Sequence, residues 1–413
     1  MSAGVCLRGA DQVLRPPQDG LPYVRGDRVD AVRLEPGAVV LDGARIAGFE
    51  ADATAALQVD ASGCAVVPGL VDCHTHLPFA GWRAREYVRK VTGVPYEQIA
   101  REGGGIAASA RALAEADDEE VLAQARGLAA EMLAHGTTAF EGKSGYGLSA
   151  DGERRALALA GRLAEEVPQE TVSTALLAHA VPPGFTADGW MDVVAQLVPE
   201  LVRDTGIVAL DVFVESVAFG LEHLQRMGAL AAEHGLALRA HVEQFTTMRS
   251  VPVALAAGAR SLDHLSMLHP DDLGPLAAAE CAAVLLPSAE FLGAEHLAPA
   301  RDLADAGAIC VLATDANPGT SPVVSLPLVI GLAVRRYGWG AAGALLAATL
   351  NAAWTIGRSD DLGSLEVGKR ADVALLDAPI EHVPYRLGHN PVAACFVAGE
   401  LAWVRPDQAW RLG

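Results

Sequence analysis

Residues 66–79 read VVPGLVDCHTHLPF. The run is apolar as far as Val71, apart from a Pro-Gly pair, then carries Asp72 and two histidines one residue apart, His74 and His76. A short valine-rich run bounded by a turn signal reads as a buried strand. Side chains alternate along a strand, so His74 and His76 point to one side and Thr75 to the other. Two imidazoles on one side at a strand's end can chelate one divalent ion, but two hydrogen-bonded rim histidines read the same. The rest of the chain has to decide between them.

Seven further runs of this kind follow: TTAFEGKS (137–144), STALLAHA (173–180), LDVFVES (210–216), LALRAHV (236–242), RSLDHL (260–265), AAVLLP (282–287) and ICVLATD (309–315). Stretches such as DEEVLAQARGLAAEMLAHG (118–136) and ERRALALAGRLAEEV (153–167) lie between them, with apolar residues at helical spacing. Strands alternating with helices imply an α/β protein with a parallel sheet. Eight repeats imply a closed (β/α)8 barrel. The chain ends read differently. AVVLDGARIAGFE (38–50) and AACFVAGELAWV (393–404) are paired-strand patterns around Asp42-Gly43 and Gly399-Glu400 turns. Neither end has a core of its own. Residues 1–66 and 361–413 are therefore expected to build one small β-sandwich domain, with residues 67–360 as the barrel.

Composition agrees. Of 413 residues, 51% are hydrophobic but only 5% aromatic, so the apolar content is mostly Ala, Leu and Val, ample for a large core. A net charge of −20 with no basic patch argues against nucleic acid or an anionic membrane as partner. No apolar stretch approaches the roughly 20 residues needed to span a bilayer. The N-terminus carries no signal-peptide pattern, and six scattered cysteines without a CxxC pair read as reduced thiols. A cytoplasmic protein is expected.

Barrel enzymes hold their chemistry at the C-terminal ends of the strands. Those ends carry His74 and His76, Lys143 followed by Tyr146, His179, Glu215, His241 followed by Gln244, His264, and Asp315 followed by Asn317. His74, His76, His241 and Asp315 form a donor set suited to one zinc or iron ion: borderline-soft nitrogens and one hard oxygen. His264 reads as a general base or acid. A carboxylated lysine bridging two metals usually ends the fourth strand, and Lys143 ends the second. Glu215 reads as a supporting carboxylate, and Asp72 as a group that orients the metal site. Arg83 and Tyr146 are candidates for holding an anionic or polar substrate. His135, His223, His234 and His269 lie on or beside helices and read as surface residues. The long segment from Gly81 to Ala110 reads as a lid or pocket wall. Its REGGGI follows no strand and lacks GK[ST], so it is not a phosphate loop.

Together these residues resemble the metal-dependent amidohydrolases, and within them the imidazolonepropionases of histidine degradation. The stretches that carry the likeness run in order through most of the chain: HTHLPFAGWRA, YEQIAREGGGI, KSGYGL, AHAVPP, DVFVE, HVEQ, DHL, ATDANPGTSP, NAAWTIG and VPYRLGHNP. The resemblance implies one zinc or iron ion per chain on His74, His76, His241 and Asp315. It implies substrate or product contacts at Arg83, Tyr96, Tyr146, His179, Gln244, Asn317, Gly319 and Thr320, and a proton carrier at His264. The implied substrate is an anionic cyclic amide, 4-imidazolone-5-propanoate, opened to N-formimidoyl-L-glutamate, with Asp315, His264 and Gln244 as the catalytic group. A homodimer is expected. Pro78, Trp82 and Ala316 depart from the family's pattern and bear on the side-chain pocket. The alternatives are a related cyclic amide or amidine hydrolase, such as a deaminase or hydantoinase, and a non-catalytic ligand-binding relative. A deaminase would carry a carboxylate where this chain has Gln244, and a non-catalytic relative would lack one of the ligands.

Overall fold

All eight sequence runs form strands, and they form one parallel sheet. The computed structural model describes residues 3–50, 53–94, 98–99, 102–293 and 296–413. The chain begins with five strands: β1 (Ala3–Arg15), β2 (Arg33–Asp42), β3 (Arg45–Gly48), β4 (Ala55–Asp60) and β5 (Ala65–Pro68). The barrel strands follow: β6 (Leu70–Asp72), β7 (Thr137–Lys143), β8 (Glu170–Ala178), β9 (Ala209–Val214), β10 (Ala237–Val242), β11 (Ala259–His264), β12 (Ala282–Leu285) and β13 (Ile309–Leu312). The last strands are β14 (Val373–Leu376), β15 (Val392–Val397) and β16 (Glu400–Val404).

Strands β6 to β13 lie side by side in chain order. The first and last close the ring just beyond their ends. Thr75 bridges Ala316, the His76 N–H donates to the Ala316 carbonyl at 2.9 Å, and the Asp315 N–H donates to the His74 carbonyl at 3.0 Å. The seam of the barrel therefore runs through His74, His76 and Asp315, so closing the fold fixes their spacing. Asp72 strengthens the seam: its carboxylate accepts from the Thr314 N–H at 3.1 Å and the Thr314 hydroxyl at 2.6 Å. It supports the residue before Asp315.

The helices start where the sequence offers caps. Asp117, Ser149, Thr186 and Ser325 each accept a backbone N–H from the first turn of the helix they precede. Helix Asp118–Ala134 lays one stripe inward, burying Val121, Leu122, Ala125, Ala129, Met132 and Leu133. Among the described residues no helix is long and apolar enough to cross a membrane. All six cysteines are free and buried.

Both chain ends join in a second eight-stranded sheet, ordered β16-β15-β14-β5-β1-β2-β3, with β4 against β1. It folds over its own core of Leu7, Val39, Leu41, Ile46, Val66, Val373, Leu375 and Phe396, among others. The first turn is one residue later than read: Asp42 pairs with Arg45 around Gly43 and Ala44. The second turn is one residue earlier than read: Val397 pairs with Glu400 around Ala398 and Gly399, both at positive φ. Ala398 tolerates that φ because its N–H is held by Asp372 Oδ1 at 2.8 Å.

Candidate metal centre and substrate pocket

Strand parity explains most of the site. Arg239 and His241, Ser261 and Asp263, and Glu141 and Lys143 are spaced by two, so each pair shares one side of its strand. All six are buried. By the same rule His264 should face outward, because Asp263 faces in. His264 instead takes φ 83, Leu265 φ 63 and Asp315 φ 54. A non-glycine residue at positive φ is strained. Here the strained bonds end the strands and turn His264 and Asp315 toward the same space as His74.

That space is lined by imidazoles. The His74 ring centroid lies 4.5 Å from that of His241, 5.4 Å from His76 and 5.9 Å from His264. His241 and His264 are 5.4 Å apart. Asp315 Oδ1 lies 3.3 Å from His76 Nε2 and 3.6 Å from His74 Nε2. His74, His76 and Asp315 keep their donor atoms close enough for one ion, as do His74, His241 and His264.

The hydrogen bonds decide which nitrogens are offered. His74 Nδ1 lies 2.6 Å from Asp263 Oδ2, and His241 Nδ1 lies 3.1 Å from Asp211 Oδ1. A carboxylate accepts only, so each Nδ1 carries the proton and each Nε2 keeps its lone pair. Both Nε2 atoms are buried without a hydrogen-bond partner. Orphaned buried acceptors set this close together are costly unless a cation takes them. The donor set fits a divalent metal ion.

Burial pushes His264 down to about 3, so it is a neutral base at pH 7. His179 Nδ1 bonds the Gly145 carbonyl at 3.0 Å and the ring stacks on His76 at 5.4 Å. Tyr146 lies against both, 5.3 Å from His179 and 5.8 Å from His76. Arg83 stands against the loop that follows Asp315. Its N–H donates to the Pro318 carbonyl at 2.8 Å, and its guanidinium lies flat against Gly319, where a Cβ would overlap it. Its Nε is buried without a partner, and Glu86 is its nearest anion at 3.7 Å. Arg83 also borders a cavity of about 460 Å³ walled by Trp82, Arg85, Glu86 and Ser109. None of His74, His76, His241 and Asp315 lines that cavity, so it lies beside the imidazole cluster and does not enclose it. Tyr96 lies outside the described residues.

Residues 65–402 match the model of the amidohydrolase family. Curated imidazolonepropionases align along nearly the whole chain. The one from Rubrobacter xylanophilus is 43% identical over 92% of this chain and 89% of its own. The one from Deinococcus radiodurans is 41% identical over 90% and 91%.

The chain belongs to the imidazolonepropionase family of amidohydrolases.

Solved structures support the family's fold alone. An adenosine deaminase from Xanthomonas campestris with bound zinc superposes at TM-score 0.71 with 19% identity, covering 98% of this chain and 93% of its own. A guanine deaminase from C. acetobutylicum with bound guanine gives 0.70 and 14%, covering 96% and 99%.

Several imidazolonepropionase-like positions do something other than what spacing suggests. The Asn317 amide is spent inside its own loop. Its oxygen accepts from the Gly319 and Thr320 N–H groups, both at 2.8 Å, and its nitrogen donates to the Asp315 carbonyl at 2.6 Å and Thr320 Oγ1 at 2.9 Å. A ligand reaching Asn317, Gly319 or Thr320 has to replace these bonds rather than fill empty ones. Glu215 accepts from the Ser216, Phe245 and Thr246 backbone and the Thr246 hydroxyl, so it shapes the loop after β10. Glu243, at φ 52, accepts from Met248 N, Ser250 N and Ser250 Oγ. It is therefore unavailable as a proton shuttle, and Gln244 beside it is half-buried and bonds none of the described residues. His223 is buried rather than on the surface: its Nδ1 accepts the Gly220 N–H at 2.9 Å and caps helix Leu221–Glu233. Ala316 packs inward with Leu77, Phe79 and Tyr146.

The sequence reading missed Asp211, Asp263, Glu141 and Arg239. The signal was there. Each is a charged residue inside a barrel strand, where a charge is rarely buried unless paired.

Proposed function

We propose that His74, His76, His241 and Asp315 hold one divalent ion, zinc or iron, with which this hydrolase opens 4-imidazolone-5-propanoate. The observation that carries the reading is the pair of buried His74 and His241 Nε2 lone pairs, each fixed by a carboxylate behind it, with the His74 Nε2 3.6 Å from Asp315 Oδ1. An ion bound there lowers the pKa of water toward neutrality and polarises a carbonyl.

The side chains divide the remaining work. Asp315 and the neutral His264 take the proton as a water oxygen bonds to the ring carbonyl carbon. The lactam C–N bond then breaks, and His264 returns a proton to the departing nitrogen. The product, N-formimidoyl-L-glutamate, has gained one water and a second carboxylate. Arg83 grips the propanoate carboxylate with its unpaired edge. Gly319 makes room for that guanidinium, and Asn317 and Thr320 brace the loop around it. Tyr146 and His179 pack along the His76 side of the substrate ring. Gln244 holds a polar edge of the ring without moving a proton, because a carboxamide does not titrate.

A second ion bridged by a carboxylated Lys143 is disfavoured. Lys143 Nζ lies 2.8 Å from Asp211 Oδ2 and 2.9 Å from Glu141 Oε2. Burial and Arg239 act to lower its pKa, but Asp211, Glu141 and Asp263 outweigh them and hold it above its ordinary value. An ammonium held this way is not the neutral amine that carboxylation needs.

The test is to incubate the purified chain with 4-imidazolone-5-propanoate. Ring absorbance should fall as a product one water heavier accumulates. An intact ring, or release of ammonia, would reject the reading.

A further inference from the structure

Beneath the imidazoles, five charged side chains from four strands fill the barrel's centre: Glu141 and Lys143 on β7, Asp211 on β9, Arg239 on β10 and Asp263 on β11. All are at most 1% exposed. Charges this deep are costly unless paired, and the pairing here is directional. Asp211 divides its two oxygens, Oδ1 to His241 at 3.1 Å and Oδ2 to Lys143 at 2.8 Å. Asp263 uses Oδ2 for both His74, at 2.6 Å, and Arg239, at 3.3 Å. Arg239 also donates to the Cys73 carbonyl at 2.8 Å and Ser261 Oγ at 2.9 Å. It therefore grips the backbone next to His74 as well as the carboxylate behind it. Glu141 lies between the two cations, paired with both.

We infer that Lys143 and Arg239 are positioning residues that set the metal affinity of the site: Lys143 acts on His241 through Asp211, and Arg239 acts on His74 through Asp263. The physical reason is the aim of each carboxylate. Lys143 pins Asp211 by Oδ2 and so leaves Oδ1 turned to His241 Nδ1; Arg239 holds Asp263 Oδ2 beside His74 Nδ1 while it also holds the Cys73 carbonyl. Without its cation each carboxylate is free to turn, and the imidazole in front of it loses the contact that aims its Nε2 at the ligand position.

The inference rests on His74 and His241 being ligands, and its test keeps the two apart. Zinc affinity is measured by chelator competition on the full chain for wild type, Lys143→Met, Asp211→Asn and the Lys143→Met/Asp211→Asn pair. An asparagine can still accept from His241 Nδ1 but no longer forms the ion pair with Lys143. Lys143→Met should bind zinc about ten- to hundredfold more weakly. The double variant should bind as tightly as Asp211→Asn alone. Lys143→Met with unchanged affinity would overturn the inference. So would a double variant at least tenfold weaker than Asp211→Asn, a comparison that survives even if Lys143→Met fails to fold. In the zinc-loaded wild type, nitrogen NMR should find the His74 and His241 protons on Nδ1; protons on Nε2 would overturn it too. Wild type that binds no zinc would instead remove the ligand assignment itself.

Discussion

The two eight-stranded sheets are built from similar valine-, alanine- and leucine-rich strands, yet their interiors differ. Inside the terminal sheet the core is apolar: Leu7, Val39, Ile46, Val66, Leu375 and Phe396 meet with no charge among them. Inside the barrel, Glu141, Lys143, Asp211, Arg239 and Asp263 occupy the same kind of inward position. Hydrophobic burial is enough to close a sheet, so the barrel's charges are not there for folding. Replacing such a network with apolar residues often leaves stability unchanged or improved. What the charges supply is a fixed direction for His74 and His241. One sheet is packed for stability and the other is wired for a site.

That contrast can be broken by substitution. The largest expected effect is in the barrel: His241→Ala or Asp315→Ala should abolish turnover and stoichiometric zinc while circular dichroism stays that of a folded chain. Either variant keeping near-normal turnover without zinc would erase the distinction. Next, Phe396→Ala in the terminal sheet should cost about 3–5 kcal/mol of unfolding free energy, measured with denaturant, while zinc per chain and kcat/KM stay at wild-type levels.

Smaller effects sharpen the picture around the pocket. Arg83→Met should lower kcat/KM about ten- to hundredfold, since a hydrogen bond to a charged group is worth roughly 1.5–3 kcal/mol. Arg83→Lys should recover only part, lacking the planar fork. Gly319→Ala should lose similarly, because its methyl group displaces the guanidinium. Zinc content should not change in any of the three, and a loss of zinc would mean that Arg83 supports the centre rather than the substrate. The smallest effect is expected at Gln244→Ala, about tenfold in kcat/KM for one neutral hydrogen bond. A loss beyond a thousandfold would assign Gln244 a larger share of the chemistry.

The fold was legible because periodicity is local. Eight apolar runs at strand length, separated by helical stripes, are visible without knowing what they touch. The histidines were legible for a related reason: His74 and His76 are two apart, and His241 and Asp315 end runs already read as strands. The network beneath them was not read, because the pairing of Lys143 with Asp211, or Arg239 with Asp263, joins different strands and leaves no trace in the spacing along any one of them. Nor does spacing reveal a broken strand. Alternation would turn His264 outward, and only its positive φ brings it to the site. The Asn317 loop shows the same limit: D-x-N-P-G is easily found, but that the amide is consumed holding Gly319 and Thr320 appears only in three dimensions.

The central claim is that a carboxylate-backed cluster of imidazoles holds one ion on which ring opening depends. Titrating metal-stripped protein with zinc while following hydrolysis of 4-imidazolone-5-propanoate tests it most directly. The account predicts no turnover at the start, a linear rise, and a break at one equivalent per chain. Turnover in the stripped protein, or a break at two equivalents, would contradict it.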